Sequence, residues 1–154
     1  MAQTGETSGA PAAGGKVLLV SDDPQTAGFW AYGLRQLELE CTQAKSTADA
    51  LGHWSSDIFD LVVIDVCGPE LDGIALARRL REQAANPILL FTPNRDEQHA
   101  LDAYQAGVDE CVVKPVSPSL FLAKVRAWLR RSRAIPVGAL VRLDFGLLRL
   151  DPEQ

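Results

Sequence analysis

A doubly wound α/β fold, five parallel strands with helices on both faces, is what this sequence predicts. Three observations carry it. Short apolar runs rich in β-branched residues recur along the chain: Val17-Leu18-Leu19-Val20, Leu61-Val62-Val63-Ile64, Ile88-Leu89-Leu90-Phe91 and Cys111-Val112-Val113. Continuous runs of this kind read as strands buried on both faces, the mark of a parallel sheet. Segments with helical spacing separate them, and each run ends in polar residues: Ser21-Asp22-Asp23, Asp65, Thr92 and Lys114-Pro115. The carboxyl ends of parallel strands converge on one crevice. Asp22, Asp65, Thr92 and Lys114 are therefore expected to meet there.

The elements follow in order. Residues 1–15 are Gly, Ala, Ser, Thr and Pro without periodicity and read as a disordered tail. The first strand starts at Lys16. Pro24 opens a helix through Gln36, with Phe29, Trp30, Leu34 and Leu37 on one side. Glu40 to Ala44 is a weaker strand. Ser46 caps a short helix holding Ala50, Leu51 and Trp54. After Asp65, residues 66–73 form a loop too long for a tight turn. The third helix runs from Ile74 to about Glu82. The fourth runs from about Asp96 to Ala106 and stops at Gly107, a C-terminal cap. Ser117-Pro118 opens the fifth, whose apolar stripe is Phe121, Leu122, Val125, Trp128 and Leu129. It ends at Arg130-Arg131-Ser132-Arg133. A linker at 134–139 then leads to 140–154, which alternates apolar and polar residues like a strand without its sheet.

Composition excludes several classes. A length of 154 residues points to one domain plus tails, and 47% hydrophobic content supplies a core. The net charge of -5 argues against this chain alone wrapping nucleic acid. Cys41, Cys67 and Cys111 show neither disulfide nor zinc spacing, and a reducing, cytoplasmic setting fits them. His53 and His99 lack metal-ligand spacing. No apolar stretch approaches ~18 residues, so no membrane span is expected, and the N-terminus does not read as a secretory signal.

Two carboxylates, a hydroxyl and an ammonium suit phosphoryl chemistry. Asp22 and Asp65 can hold Mg²⁺, which takes few protein oxygens and keeps water. Asp65 can act as a nucleophile toward a phosphoryl group, giving an acyl phosphate. Mg²⁺ and Lys114 would neutralise the transferring oxygens. The Thr92 hydroxyl can hydrogen-bond the group once it is in place.

These residues resemble the receiver domain of two-component response regulators. The resemblance rests on Lys16 to Pro24, on Phe59 to Asp65 with Pro69 and Asp72-Gly73, on Phe91-Thr92, and on Ala106-Gly107-Val108-Asp109 with Lys114-Pro115. It covers about residues 16–133. It implies a CheY-like, flavodoxin-like sheet of strand order 2-1-3-4-5. It implies that Asp65 is the phosphoacceptor of a sensor histidine kinase. It further implies that Asp22, Asp65 and the Cys67 carbonyl hold Mg²⁺, that Lys114 pairs with the phosphoryl group across a cis Lys114-Pro115 bond, and that Thr92 is the switch hydroxyl. The segment Phe145 to Pro152 is similar to the first strand of the winged-helix DNA-binding domain of OmpR-type regulators. Residues 140–154 then read as a partial strand of a DNA-binding domain that this chain lacks.

Three departures from the family pattern bear on the site. The family has two adjacent acids after its first strand; by register these fall at Ser21 and Asp22, and Asp23 lies one place too late to substitute. One lost carboxylate should weaken Mg²⁺ binding. Pro93 follows Thr92, where the family's residue donates a backbone N–H to the phosphoryl group, and proline has none. A hydrogen bond to a charged group is worth about 1.5–3 kcal/mol, which the phosphorylated state should lose. Cys111 stands where the family has a switch aromatic. Two readings stay open: a weakened but phosphorylatable receiver, and an atypical receiver that works as a phosphorylation-independent dimerisation module. An acyl-phosphate phosphatase ranks below both, because Cys67 occupies the place of that class's second acid.

The expected role is thus that of a phosphoprotein signal-input domain in transcription regulation, not an enzyme. The resemblance also implies a homodimer through helix four, strand five and helix five. Glu110 with Lys124, and Asp109 with Arg131, would be its charge pairs; Leu101, Tyr104 and Phe121 its apolar centre; Ala100 and Leu120 replace a further ion pair. DNA would be bound only through the missing domain. Arg78-Arg79 with Arg81 reads as a solvated helix face or helix-terminal charge. Trp30, Trp54 and Trp128 read as packing residues.

Overall fold

The computed structural model describes residues 14–142. Five strands alternate with five helices: β1 (Lys16–Ser21), α1 (Pro24–Gln36), β2 (Glu40–Ala44), α2 (Thr47–Ser56), β3 (Leu61–Asp65), α3 (Gly73–Arg81), β4 (Ile88–Thr92), α4 (Glu97–Ala106), β5 (Glu110–Val113) and α5 (Pro118–Arg142). All strand pairs are parallel, in the order β2-β1-β3-β4-β5. The expected fold class and strand order are both met.

The apolar runs become the three central strands because every residue in them must be covered. From Val17 to Ser21, Leu61 to Asp65 and Ile88 to Thr92 all residues are buried. Side chains alternate across a strand, so each run feeds two cores. Leu18, Val20, Val62, Ile64, Ile88 and Leu90 pack with α2, α3 and α4. Val17, Leu19, Leu61, Val63, Leu89 and Phe91 pack with Trp30 and Leu34 of α1 and with Phe121, Val125 and Leu129 of α5. The edge strands β2 and β5 are only partly buried, as their mixed sequences suggest.

Local signals set the helix ends. Asp23, Ser46, Asp72 and Asp96 each cap a helix by accepting a backbone N–H of its first turn. Ser117 accepts from Leu120 N at 3.1 Å at the start of α5. Gly107 ends α4 with φ 113° in the left-handed region, and a Cβ there would lie 2.8 Å from the Arg81 side chain. That arginine is not a solvated charge. It donates to the Gly107 carbonyl at 3.1 Å, to the Asn86 carbonyl at 2.8 Å and to Asp109 at 2.7 Å, clasping the loops that lead into β4 and β5.

Two expectations need correcting. Phe29 does not share the buried side of α1: it is 56% exposed, and Ala27, Trp30, Ala31 and Leu34 form the buried stripe. A 3.6-residue period places Phe29 at the margin of that stripe, where the sheet no longer covers it. The helical backbone of α5 continues through 134–139, read as a linker, to Arg142. Once nucleated, a helix gains one backbone bond per residue added, which outweighs a short alternating pattern. The tail expected over 1–15 falls, up to residue 13, outside the described residues. So do residues 143–154, where most of the expected winged-helix strand lies.

Candidate functional site

Parallel pairing aligns the strand ends and so builds the site. Asp65 is the last residue of β3, opposite Ser21 of β1 and Phe91 of β4. It is a carboxylate with no solvent exposure at all. Such a group persists only if its charge is met by partners. Lys114, one residue beyond β5, donates from Nζ to Asp65 Oδ1 at 2.8 Å. The indole of Trp30, on α1, donates from Nε1 to Oδ2 at 3.1 Å. Cys67 Sγ lies 3.8 Å from Oδ2 and 3.4 Å from Lys114 Nζ.

Burial pushes the Asp65 carboxyl above the usual carboxylate range, against the pull of Lys114, Trp30 and Cys67. Burial also works against the Lys114 ammonium. Its bond to Asp65 and the charge there outweigh this and hold it above its ordinary value. The pair is thus a lysine kept charged beside a carboxylate that burial penalises.

Asp22 lies on the other side of the β3–α3 loop. Its Oδ1 accepts from Cys67 N and its Oδ2 from Gly68 N, both at 2.8 Å. It therefore shapes the loop that leaves Asp65, through Cys67 and Gly68. Ser21 is 1% exposed, and its Oγ lies 3.8 Å from Cys67 Sγ. Asp23 faces away: its carboxylate accepts from Thr26 N at 3.2 Å as the cap of α1. Both its backbone and side-chain partners are on Thr26, so this carboxylate is engaged by its own helix.

Thr92 is buried at the end of β4, yet its hydroxyl does not bond Asp65. It accepts from Asn94 N at 3.1 Å and lies 3.4 Å from Nε2 of His99. Its carbonyl accepts from Lys114 N at 2.9 Å, tying the two strand ends together. The Lys114-Pro115 peptide bond is cis. The structure thus joins Asp65, Lys114 and Cys67 directly, with Asp22 through the loop and Thr92 through the backbone.

Trp30 and His99 were not expected in the site. A lone aromatic on the apolar face of a helix reads as packing, and nothing in its spacing shows that the indole N–H reaches a carboxylate. His99 is brought to Thr92 by the first turns of α4, seven residues on.

Among the described residues no three His, Cys, Asp or Glu side chains gather as a metal cluster. Two carboxylates at adjacent strand ends, with the Cys67 carbonyl two residues beyond Asp65, still fit Mg²⁺. That ion is held by one or two carboxylates and otherwise keeps its water. Each carboxylate has about four lone-pair sites, and the bonds described above leave some free.

The pattern of the response regulator receiver domain family matches residues 17–126. The chain belongs to this family. It is 30% identical over 132 residues to the transcriptional regulatory protein ResD of Bacillus subtilis, covering 86% of this chain and 52% of that protein. It is 28% identical over 122 residues to the transcriptional regulatory protein SrrA of Staphylococcus aureus, covering 79% of this chain and 51% of that protein. The receiver chain thus spans about half the length of these curated relatives. Among solved structures, a two-component response regulator from Clostridium difficile superposes with TM-score 0.71 at 27% identity, covering 75% of this chain and 96% of that one. The receiver domain of DrrB, solved as activated by BeF₃, gives 0.68 at 28%, covering 75% and 97%. The regulator TrrA of Thermotoga maritima, solved with Mg²⁺ and BeF, gives 0.65 at 25%, covering 73% and 97%. This chain is the receiver domain of a two-component response regulator. Receiver domains are signalling domains that interact with sensor histidine kinases and bind Mg²⁺ in phosphorylation. Among the described residues no helix is long and apolar enough to cross a membrane.

The face formed by α4, β5 and α5 differs from expectation in its apolar centre and in its charge pairs. Phe121 has no solvent exposure: it is core, stacked on Trp30 and tilted against Phe91, because it points back toward the sheet from the first turn of α5. The exposed apolar residues there are Leu101, Tyr104, Val113 and Leu120. Of the expected charge pairs, Glu110 with Lys124 closes within the chain, and Asp109 with Arg131 does not form. Lys124 Nζ lies 2.6 Å from Glu110 Oε2, and the second oxygen of Glu110 accepts from Trp128 at 2.8 Å. Asp109 pairs with Arg81, while Arg131 lies 4.4 Å over the Trp128 ring.

Proposed function

We propose that this receiver is the phosphoacceptor input of an OmpR-type transcription regulator, with Asp65 as the residue modified. The observation that carries this reading is the Asp65–Lys114 pair: a fully buried carboxylate at a strand end, bonded at 2.8 Å by an ammonium. In this reading a carboxylate oxygen of Asp65 attacks phosphorus, the bond to the kinase histidine or to a small phosphodonor breaks, and an acyl phosphate forms. Lys114 moves from the carboxylate to the phosphoryl oxygens and offsets their charge. The Thr92 hydroxyl leaves Asn94 and His99 to donate to the same group. Asp22, Asp65 and the Cys67 carbonyl hold Mg²⁺, weakly because Ser21 replaces an acid. When bound, the ion neutralises phosphoryl charge. The partner is a sensor histidine kinase, the setting cytoplasmic, and the output a DNA-binding domain beyond this chain, with residues 16–133 as the receiver unit.

Acetyl phosphate or phosphoramidate with Mg²⁺, read by intact mass, tests the reading. One phosphoryl group should add, and Asp65→Asn should abolish it. Modification that survives Asp65→Asn removes Asp65 as the acceptor.

A second reading is favoured by Pro93 and Ser21, which remove a phosphoryl donor and a metal acid. In it the receiver dimerises without phosphorylation through Leu101, Tyr104, Val113 and Leu120. A wild type that stays unmodified under strong phosphodonor favours this reading over the first.

A further inference from the structure

We infer that Trp30 is a positioning residue of the site, fixing the Asp65 carboxylate and transmitting its charge state to α5 through Phe121. The inference rests on the reading of Asp65 as the signalling carboxylate and adds to it a route of output.

Three observations meet at this indole. An indole N–H can only donate, and a buried one needs an acceptor. Trp30 is 7% exposed, and its N–H finds Oδ2 of Asp65 at 3.1 Å. Lys114 takes the other oxygen at 2.8 Å, so the carboxylate is gripped from α1 on one side and from beyond β5 on the other. The same indole stacks on Phe121 of α5, with ring centroids 3.8 Å apart and planes 19° from parallel. Phe121 in turn lies 4.9 Å from Phe91, the residue paired with Asp65 across β3 and β4. All three aromatic rings are buried. Asp65, Trp30, Phe121 and α5 thus form one packed series with no solvent between its members.

The chemistry at one end of that series is sensitive to charge. A hydrogen bond to an ionised acceptor is roughly twice as strong as one to a neutral acceptor. Forming the acyl phosphate moves the charge from the carboxylate to the phosphoryl oxygens, and an amide removes it; either leaves a neutral carbonyl oxygen for the indole and weakens that hold. Trp30 cannot turn without moving against Phe121, because packed interiors leave little free space. The Thr92 side offers no equivalent path. Its hydroxyl is engaged by Asn94 and His99, Pro93 has no N–H, and Cys111 has no ring to rotate.

Spatial intermediacy alone does not establish coupling; a double-mutant comparison does. The full chain, labelled with ¹⁵N, is studied without metal or phosphodonor as wild type, Asp65→Asn, Trp30→Phe and the double variant. Phenylalanine keeps a ring on Phe121 and deletes only the donor. In wild type, Asp65→Asn should move the Trp30 indole resonance upfield by many line widths, leaving the Trp54 and Trp128 indoles in place. It should also shift the amides of Phe121 and Val125, and that response should be lost in the Trp30→Phe background. A Trp30 indole that stays in place on Asp65→Asn overturns the inference. Equal shifts of α5 in both backgrounds do so too. The indole measurement needs no change at position 30, so it decides even where Trp30→Phe fails to fold. Because no phosphodonor is present, the outcome is separate from whether Asp65 accepts a phosphoryl group.

Discussion

The two sides of the site differ in how their polar atoms are placed. On the β3 and β5 side, both oxygens of Asp65 are met by Lys114 and Trp30, and the carboxylate itself is packed away from water. On the β4 side, the buried Thr92 hydroxyl is engaged by Asn94 and His99 instead of Asp65, and the next residue, Pro93, has no N–H to offer. In the proposed reading the first side holds the nucleophile and its counter-charge. The second is where a receiver would sense the product. Chemistry for acceptance and chemistry for readout are therefore separable, since they sit on different strands and different residues.

The largest expected effect tests the first side. Lys114→Met should destabilise the fold by about 3–5 kcal/mol, because it leaves the buried Asp65 charge without its partner. Urea unfolding at neutral pH measures this. A loss under about 1 kcal/mol would show that Trp30 alone satisfies the carboxylate.

The second side is tested by repair. Pro93→Ala should restore a backbone donor worth about 1.5–3 kcal/mol to a phosphorylated Asp65, or roughly ten- to hundred-fold in its favour. Ser21→Asp should tighten Mg²⁺, followed by fluorescence of Trp30 beside the site. A double variant with unchanged Mg²⁺ affinity would show that the aligned pair at Ser21 and Asp22 is not the metal pair.

A smaller effect comes from the pKa of Asp65. Its folded-state value lies above the unfolded one, so the native state binds this proton more tightly. Stability from this group is thus greatest at low pH and declines as pH rises through the folded-state pKa. Asp65→Asn, which has no charge to bury, should melt higher than wild type at pH 7, by roughly 2–4 °C for each kcal/mol relieved. The gap should narrow toward pH 4. Calorimetry across that range decides, and a gap that widens on acidification would contradict the assignment.

The smallest effect on the fold itself concerns the α4–β5–α5 face. Leu101, Tyr104 and Leu120 are each close to half exposed, whereas Glu110 and Lys124 already satisfy one another within the chain. Self-association there should be apolar and weakly salt-dependent. Sedimentation at tens of micromolar should show a dimer that Tyr104→Asp and Leu120→Glu dissociate with little loss of stability. A monomer in the unmodified wild type would remove the phosphorylation-independent reading.

By itself the sequence determined the fold class, the strand order through its family resemblance, and the identity of Asp65, Lys114, Asp22 and Thr92 as strand-end polar groups. This was legible because continuous burial leaves a continuous apolar run, and because parallel strands must bring their carboxyl ends together. Helix caps were legible for the same reason: Ser46, Ser117 and Gly107 act through neighbours one turn away. What only the tertiary structure decided is which polar atoms actually meet. Trp30 and Asp65 are 35 residues apart, and the indole N–H reaches the carboxylate only because α1 folds over β3. The placing of Phe121 in the core rather than on the surface, and of Arg81 as a clasp rather than a solvated charge, likewise depended on what lay opposite. Periodicity reports that a residue is on the margin of an apolar stripe; its neighbours across the fold decide whether it is covered, paired or left to water.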